Sequence, residues 1–584
     1  MNYINKHNRL VIFLIIVIVL VLSFLVFNKN NGTVIEDETS SYIKEFNTEK
    51  IKFKERIIVL NKIDLDIRQK SLLDIDNNGS IDINDLYIAK DIINKSIKEN
   101  KKADLNYDKK IDRLDSNLLK RYKSGVIDLD INNDLKEDLE DINLLDLYIN
   151  SFKELQVLVP KHTNKDLVKL EVEDNSIISL DNGVIKSKKE GITKVKVIDN
   201  EGNTDYSLVI VIDYNEKDNE IYNYKDTIYL SPTHLTTVEK SNADINKDNS
   251  IDTLDYEILK RIINHTFGDL NKDGITNNKD VKVLKDYLSK ENEFNYNYDL
   301  NYDGYINNKD LDLLNRFLSP ILIGDINKDT MVEDRDIKII NKANYSYDRM
   351  YSKINGFALN KKIEYLSSDS NIVSVSNEGV INALREGEVT ITMKSNSGNI
   401  KTCKVISKEN NKLPTSIKAD KKEVVLNTFN SRENDILSLD LNNDGVVDSK
   451  DLDIYKKIKL IKINQKALDK VLNNIINKKY NKEYDINSDN KLNLKDYGIL
   501  YNYIKENGEK IKEELFNDYL NNSVKLNIKV SPNNSINRIT YMSKNSNIAK
   551  VNNEGVVTAI NKGETEIVAF TVNGIKAVTK VIVK

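Results

Sequence analysis

The most informative stretch of the sequence is Asp299-Leu-Asn-Tyr-Asp-Gly304-Tyr-Ile-Asn-Asn-Lys-Asp310, followed by Leu311-Asp-Leu-Leu-Asn-Arg-Phe-Leu318. Aspartate or asparagine occupies positions 1, 3, 5, 9 and 12 of its first twelve residues, and position 6 is glycine. In the second part, leucine and phenylalanine recur at helical spacing. The segment therefore predicts a tight acidic loop that leads into a helix with one buried face.

This loop pattern occurs nine times along the 584-residue chain. The copies begin at residues 74, 104 and 130, then at 244, 269, 299 and 325, and finally at 440 and 485. Successive starts lie 30 and 26 residues apart in both of the first two groups, which indicates duplication of a whole block. In five copies another residue replaces the glycine at position 6: Lys109, Leu135, Asn249, Thr330 and Asn490.

The oxygen-rich composition of these loops indicates calcium binding, because Ca²⁺ prefers six to eight oxygen ligands. Side chains at positions 1, 3 and 5 supply three oxygens, and position 7 supplies its backbone carbonyl. Position 9 acts through water, and position 12 returns a carboxylate from the helix. A single loop of this kind is equally consistent with a surface Asx turn, but nine loops that each precede a helix favour calcium.

We predict up to about nine structural Ca²⁺ ions, one for each loop. The candidate ligands in the first group are Asp74, Asp76, Asn78, Ser80, Asp82, Asp85, Asp104, Asn106, Asp108, Lys110, Asp112, Asp115, Asp130, Asn132, Asp134 and Asp141. Those in the second group are Asp244, Asn246, Asp248, Ser250, Asp252, Asp255, Asp269, Asn271, Asp273, Ile275, Asp280, Asp299, Asn301, Asp303, Tyr305, Asp310, Asp325, Asn327, Asp329, Met331 and Asp336. Those in the third group are Asp440, Asn442, Asp444, Val446, Asp448, Asp451, Asp485, Asn487, Asp489, Lys491 and Asp496.

Loops with aspartate at position 12, each followed by one helix, resemble the repeats of dockerin type I domains. The resemblance implies structural calcium and a cohesin module as the protein partner. It also implies that the partner contacts loop positions 10 and 11, which here hold pairs as different as Ile83-Asn84, Thr253-Leu254 and Asn308-Lys309. Typical dockerins have two repeats, whereas the three groups in this chain have three, four and at least two.

A second pattern follows each group of loops, at Asp174–Val197, Ser367–Ile391 and Ser543–Ile567. Apolar and polar residues alternate around two glycines that lie eight residues apart, such as Gly379 and Gly387. This alternation predicts short strands with one buried face. The pattern resembles the bacterial Ig-like group 2 (Big2) domain, which implies a small β-sandwich.

The predicted fold class is multidomain α and β, with Ig-like β-sandwiches that alternate with, or host as insertions, all-α dockerin-like clusters. Candidate opening strands at Thr227–Leu235 and Thr415–Leu426 precede the second and third clusters and favour insertion; modules strung like beads are the alternative. The predicted boundaries are a cytoplasmic flank and transmembrane anchor at 1–30, cluster 1 at 31–150, sandwich 1 at 151–213, the opening strand of sandwich 2 at 225–239, cluster 2 at 240–350, the rest of sandwich 2 at 351–407, the opening strand of sandwich 3 at 414–430, cluster 3 at 434–520 and the rest of sandwich 3 at 521–584.

The N-terminal run Leu10–Phe27 is apolar apart from Ser23 and follows Lys6 and Arg9. Its length and cationic flank predict a single membrane-spanning signal anchor, with the remaining chain extracellular. A cleaved signal peptide is the alternative, but large residues precede the end of the run where a cleavage site needs small ones.

The composition excludes several classes of function. Because 91 acidic and 87 basic residues nearly balance, no nucleic-acid partner is expected. One cysteine precludes a disulfide framework, and four histidines argue against a histidine-metal centre. The absence of tryptophan also argues against an aromatic platform for sugars.

These features predict a non-catalytic, membrane-anchored, calcium-binding extracellular protein that acts in cell-surface adhesion or as a scaffold for protein interactions. Its partner would be a protein on the cell surface or a cohesin-like module. The alternative is a component that docks to cohesins of a polysaccharide-degrading complex. No catalytic residue is predicted, because the two repeat types leave too little chain for a catalytic domain.

Overall fold

The structure is a computed structural model that describes residues 43–45, 50–93, 104–161, 163–215, 220–290, 294–354, 358–429, 436, 438–444, 446–505 and 511–584. The chain divides into two compact units. The first comprises residues 1–60 and 152–211, and the second comprises residues 61–151 and 212–584. The predicted mixture of helical clusters and Ig-like sheets is confirmed.

Sandwich 1 is formed by three sheets. A four-stranded sheet has the order Ile57–Lys62, Thr204–Asp213, Gly191–Ile198 and Lys169–Val172. The two three-stranded sheets have the orders Phe152–Glu154, Val184–Ser187, Ile178–Asp181 and Ile43–Glu45, Val157–Val159, Lys52–Phe53. Alternate residues of these strands, such as Val197, Val209 and Ile185, share one apolar core, so the sheets pack face to face.

Sandwich 2 repeats this arrangement around its own core, which includes Ile381, Ile391 and Val405. Its four-stranded sheet has the order Thr227–Leu230, Ile400–Ser407, Gly387–Ser395 and Ile363–Ser367. The smaller sheets have the orders Tyr347–Arg349, Val380–Ala383, Val373–Val375 and Ile221–Asn223, Ser352–Ile354.

Sandwich 3 has the same topology around Val557, Ile567 and Val581. Its four-stranded sheet has the order Glu423–Leu426, Lys576–Val583, Gly563–Thr571 and Ile539–Ser543. The smaller sheets have the orders Ser523–Lys525, Val556–Ala559, Ala549–Val551 and Ser416–Ala419, Ile528–Ser531.

The second glycine of each predicted pair has a steric role that is the same in all three sandwiches. A Cβ at Gly387 would approach the Ile372 side chain to 2.8 Å. Gly191 and Gly563 approach Ile177 and Ile548 in the same way. Glycine is therefore needed where the long strand begins because a core isoleucine occupies the space of its side chain.

Each cluster lies between two strands of the same sandwich. In sandwich 2, the chain leaves at Leu230 and returns at Tyr347, and Thr227–Leu230 runs parallel to Lys404–Ser407. In sandwich 3, Glu423–Leu426 pairs in the same parallel manner with Lys580–Val583 before the chain enters cluster 3. Clusters 2 and 3 are therefore each inserted into one loop of a sandwich.

The first boundary needs correction. Residues 43–62 fall within the segment predicted as cluster 1, 31–150, but they form three strands of sandwich 1. Apolar residues alternate there, and Ile58 and Leu60 enter the core beside Val209 and Val211. Their strand partners lie far away in the sequence, so no local glycine or turn pattern reveals them.

The predicted helices after the loops are confirmed within the described residues, and all nine begin at loop position 10. They span Ile83–Ile93, Arg113–Lys123, Leu139–Ile149, Thr253–Ile263, Asn278–Leu288, Asn308–Phe317, Asp334–Ser346, Ser449–Ile461 and Leu494–Lys505. Further helices span Ile67–Leu73, Thr237–Ala243, Gln465–Ile476 and Glu513–Leu520, and short 3₁₀ turns span Lys165–Leu167 and Tyr296–Tyr298.

The predicted single-pass membrane location is corrected. Among the described residues, no helix combines the length and the apolar character needed to cross a bilayer. The run Leu10–Phe27, on which that prediction rested, lies outside the described residues.

Candidate metal centres

The nine loops share one backbone conformation. Position 6 has a positive φ in the eight loops where that residue is described, including 69° at both Lys109 and Leu135 and 72° at Thr330. Position 4 is also left-handed in all nine: Asn77, Tyr107, Asn133, Lys247, Lys272, Tyr302, Lys328, Asn443 and Ser488. Since side chains disfavour this conformation, the loops without glycine must be held in it by other interactions.

The aspartate at position 12 closes each loop by hydrogen bonds to its backbone. In the loop beginning at 299, one Asp310 carboxylate oxygen accepts the N–H groups of Leu300 at 2.8 Å and Asn301 at 3.3 Å, and the other accepts that of Asn307 at 2.8 Å. The same three bonds close every other loop, at Asp85, Asp115, Asp141, Asp255, Asp280, Asp336, Asp451 and Asp496. Aspartate is short enough to make these direct backbone contacts.

Position 9 has a structural role besides the metal contact predicted for it. Asp252 and Asn307 are helix N-caps, whose side-chain oxygens accept the N–H of position 11 at 2.7 and 2.8 Å. With position 12 they form a capping box, which satisfies N–H groups of the first helical turn. The loop and its helix are therefore joined by the same two side chains.

The aspartate at position 1 leaves an oxygen without a partner. One oxygen of Asp299 accepts the N–H of Gly304 at 3.0 Å, but the other is buried and has no hydrogen-bond partner within the described residues. The corresponding oxygens of Asp104, Asp244 and Asp485 are also buried and have no hydrogen-bond partner in this part of the chain. A buried carboxylate oxygen without a partner is unfavourable, and a cation in the loop would satisfy it, so these residues fit a metal ion.

The loop beginning at 74 brings three carboxylates close together. Asp74, Asp76 and Asp85 each offer an oxygen, and the three oxygens lie within 4.8 Å of one another. They occupy positions 1, 3 and 12, which the sequence predicted as ligands. Their spacing suits a hard cation with several oxygen ligands.

Burial opposes the ionisation of these carboxylates. It is the first cause of the raised pKa values, which are about 6 at Asp85, Asp310 and Asp496, about 7 at Asp451 and about 8 at Asp141 and Asp299. Neighbouring carboxylates add to the rise at Asp299, where Asp310 and Asp303 contribute. A bound divalent cation acts in the opposite direction and favours the charged form.

The sequence missed a basic residue that approaches four of the loops. Position 11 contacts the carboxylate at position 5 in the pairs Lys279–Asp273 at 3.5 Å, Lys309–Asp303 at 3.8 Å, Arg335–Asp329 at 3.8 Å and Lys450–Asp444 at 3.9 Å. The signal was a lysine or arginine six residues after the position-5 aspartate. These long, exposed ion pairs are weak.

Positions 10 and 11 are exposed in some loops and covered in others. Asn278, Lys279, Asn308 and Lys309 are exposed and form identical Asn-Lys pairs in successive loops. Thr253 and Leu254 occupy the same positions in the loop beginning at 244, but only 0% and 8% of their surface is exposed. The sequence alone showed the repeated pair but not this difference in exposure.

Two family models match parts of the chain. Residues 267–319 match the dockerin type I domain, and this segment contains the loops beginning at 269 and 299. Residues 347–406 and 521–582 match the bacterial Ig-like domain (group 2), in sandwiches 2 and 3. Sandwich 1, predicted as a third copy, has no such match. The dockerin match supports Ca²⁺ as the metal, while the number of ions and the individual ligands stay predictions.

Solved structures resemble the chain only distantly. Domains 4 and 5 of the S-layer protein SbsC are 11% identical, with 40% of this chain and 80% of that chain covered and a TM-score of 0.13. Domains 4–9 of SbsC are 10% identical, with 72% and 39% covered and a TM-score of 0.22. Mouse cadherin-23 EC22–24 is 8% identical, with 74% and 90% covered and a TM-score of 0.16.

The comparison with curated proteins gives no match. The family models therefore carry the similarity: the chain combines segments similar to a dockerin type I domain and to bacterial Ig-like domains, modules that suggest an extracellular role in protein–protein interaction.

Proposed function

We propose that this chain is a non-catalytic, calcium-dependent scaffold that acts outside the cell and presents its second cluster to a protein partner. The observation that carries the proposal is the repeated loop geometry: nine loops closed by the same aspartate, with buried unpartnered oxygens at position 1 in four of them. Calcium would stabilise the clusters because it satisfies these oxygens, so metal binding and folding are coupled.

The exposed surface of cluster 2 supplies the partner-binding site. Lys279 and Lys309 are each 75% exposed, and each follows an exposed asparagine in the segment similar to dockerins. Their helices, Asn278–Leu288 and Asn308–Phe317, begin at equivalent positions of adjacent repeats. This arrangement offers two similar cationic contact points to one protein, which suits a partner with an acidic surface.

Charge reversal of both lysines tests this surface. We expect Lys279→Glu with Lys309→Glu to weaken calcium-dependent binding to the partner by at least about tenfold, because two attractive contacts become repulsive. Lys450→Glu is the matched control, since Lys450 occupies the same position in cluster 3 and is 69% exposed. Equal binding by both variants would contradict the proposed surface.

A cohesin module is the second candidate partner, which would place the chain in a polysaccharide-degrading complex. The repeated Asn-Lys pair favours this candidate because similar residues at positions 10 and 11 of two repeats are what the dockerin resemblance requires. Biolayer interferometry of the full chain against a panel of cohesin modules, with calcium and with EDTA, tests it. Calcium-dependent binding supports docking, and its absence across the panel leaves an adhesive or scaffolding partner of another kind.

A further inference from the structure

Within the second compact unit, cluster 2 packs directly against sandwich 3. The Thr253 hydroxyl donates to the carbonyl of Thr571 at 3.2 Å, and the Asn344 amide donates to that of Val572 at 2.7 Å. On the neighbouring loop, the Ser546 N–H donates to the Gly304 carbonyl at 2.8 Å. Polar contacts thus join two predicted calcium loops to one sandwich.

Apolar contacts reinforce this junction. Leu254 of cluster 2 shares a buried group with Met542, Val568 and Phe570 of sandwich 3. Tyr302, at position 4 of the loop beginning at 299, packs against the same group. Cluster 2 and sandwich 3 are therefore in continuous contact, and residues of both modules line the space beside this contact.

A cavity of about 790 Å³ lies at this junction. Its lining comes from the loops beginning at 244 and 299, from the strand Tyr347–Arg349 of sandwich 2 and from residues 538–553 of sandwich 3. A cavity of several hundred Å³ is large enough for a small organic ligand. No single module forms the cavity, so a ligand there would contact three modules at once.

A buried cation lies in the wall of this cavity. Arg538 is 8% exposed, and its guanidinium donates to the Tyr347 hydroxyl at 3.0 Å and to the Asn344 carbonyl at 3.1 Å. In the part of the chain that the structure describes, Arg538 forms no ion pair and its Nε has no hydrogen-bond partner. Burial disfavours the charge of Arg538, but the nearby Tyr347, Asp252 and Asp348 favour it and raise the pKa of the guanidinium above its usual range, so the protein itself balances this cation.

Three further cations line the cavity: Lys240, Arg349 and Lys550. All three are exposed side chains, and Lys550 lies 5.7 Å from the ring centre of Tyr305. The carboxylates of the lining are Asp248, Asp252 and Asp303, which are all predicted calcium ligands. With calcium in both loops, their charge is compensated and the cavity is left with excess positive charge.

Half-buried tyrosines supply the remaining lining chemistry. Tyr305, Tyr351 and Tyr541 contribute rings and hydroxyls from three different modules. Ser250, Asn382 and Thr540 add neutral hydrogen-bonding groups. A sugar ring has apolar faces and carries hydroxyl groups along its edge. The tyrosine rings complement such faces, and the hydroxyl and amide groups complement such an edge.

We propose that this cavity binds an acidic saccharide, with its carboxylate at Arg349 and Lys550 and a sugar ring against the tyrosines. The absence of tryptophan argued against an aromatic platform for sugars. In this cavity, however, tyrosines from separate modules form an aromatic lining without tryptophan. This ligand site uses other residues than the exposed Asn-Lys surface proposed for the protein partner, since neither Lys279 nor Lys309 lines the cavity.

Calorimetric titration of the full chain in saturating calcium tests the proposal. The probe is a tetrasaccharide that contains glucuronic acid, and its carboxyl-reduced form is the neutral control. We expect the acidic form to bind at least about tenfold more tightly. Failure of the acidic form to bind at millimolar concentration, equal binding of both forms, or tighter binding of an acidic peptide would overturn the proposal.

Variants locate the binding in this cavity. We expect Arg349→Ala with Lys550→Ala to weaken binding of the acidic tetrasaccharide at least about tenfold, whereas Lys353→Ala, an exposed lysine outside the lining, leaves it unchanged. Tyr351→Phe should retain binding and Tyr351→Ala should lose it. Thermal unfolding in calcium verifies that each variant is folded, and equal effects of the cavity and control variants would contradict the assignment.

Discussion

At the level of single residues, the position-12 aspartate both closes its loop and helps to cap the helix that follows. Asp310 accepts three backbone hydrogen bonds and supplies half of a capping box. The turn at position 6 is held by further hydrogen bonds, in which Asp104 and Asp325 at position 1 accept the N–H groups of Lys109 and Thr330 at 2.9 Å. The sequence could not reveal them because they depend on the exact path of the loop backbone.

Substitution of one position-12 aspartate by asparagine distinguishes the hydrogen bonding of the carboxylate from the effect of its charge. We expect Asp310→Asn to lower the free energy of unfolding in calcium by about 1 to 2 kcal/mol, because the amide cannot accept all three N–H groups and half of the capping box is lost. Bound calcium should fall by one ion per chain. Asp312→Asn is the control, since Asp312 is exposed on the same helix; a similar loss in that variant would show a charge effect only.

The single cysteine gives a pH dependence for sandwich 2. Cys403 is 1% exposed, and burial raises the pKa of its thiol from 9.0 to about 11. The folded state therefore favours the neutral thiol, and this contribution to stability is complete below pH 9 and lost as the pH rises to about 11.

We expect the unfolding free energy to decline more steeply between pH 9 and 11 in the natural chain than in Cys403→Val, by about 2 kcal/mol across that interval. Chemical denaturation at several pH values measures the two slopes. Parallel slopes would mean that the thiol ionises as readily in the folded chain as in the unfolded one.

At the element scale, the helices and the glycine-punctuated strands follow from local patterns, whereas the packing between modules does not. Each helix begins at position 10 because the residue that caps it is position 9 of the loop. The strands of residues 43–62 were missed because their partners lie on the far side of an inserted cluster. The sequence also did not reveal that the pair Asn308-Lys309 is exposed and the pair Thr253-Leu254 is covered, because this difference in exposure depends on tertiary packing.

A pair of glycines at equivalent loop positions tests the packing of cluster 2 on sandwich 3. Gly274 and Gly304 both have positive φ, at 86° and 79°. A Cβ at Gly274 meets nothing within 4 Å, whereas one at Gly304 would lie 2.7 Å from the Ser543 carbonyl and closer still to the Ser546 hydroxyl.

We expect Gly304→Ala to lower the unfolding free energy by about 1 to 3 kcal/mol more than Gly274→Ala, because both alanines adopt an unfavourable backbone conformation but only one collides with sandwich 3. Thermal unfolding in calcium measures the difference. Equal losses would indicate that the contact between the loop and the sandwich does not contribute to stability.

At the scale of the whole molecule, insertion links the clusters to the sandwiches. Cluster 2 closes the connection between Leu230 and Tyr347, two strand ends of sandwich 2. If the cluster unfolds, the sandwich must close a flexible loop of roughly 100 residues, which costs on the order of 4 kcal/mol of chain entropy. Calcium bound in a cluster should therefore also stabilise the sandwich that hosts it.

Thiol labelling measures this coupling. We expect EDTA to accelerate the reaction of Cys403 with a thiol reagent by at least about tenfold, because sandwich 2 opens more often when cluster 2 loses calcium. Cys403 is the only cysteine of the chain, so the signal reports on one sandwich. A labelling rate that is the same in calcium and in EDTA would show that the sandwich and its inserted cluster fold independently.

The number of calcium ions that the full chain binds, measured by flow dialysis at millimolar calcium, tests the nine metal sites together. The nine equivalent loops predict saturation at about nine ions per chain, with one fewer in Asp310→Asn and no change in Asp312→Asn. Uptake of no calcium, or uptake that both substitutions leave unchanged, would mean that these loops are not calcium sites.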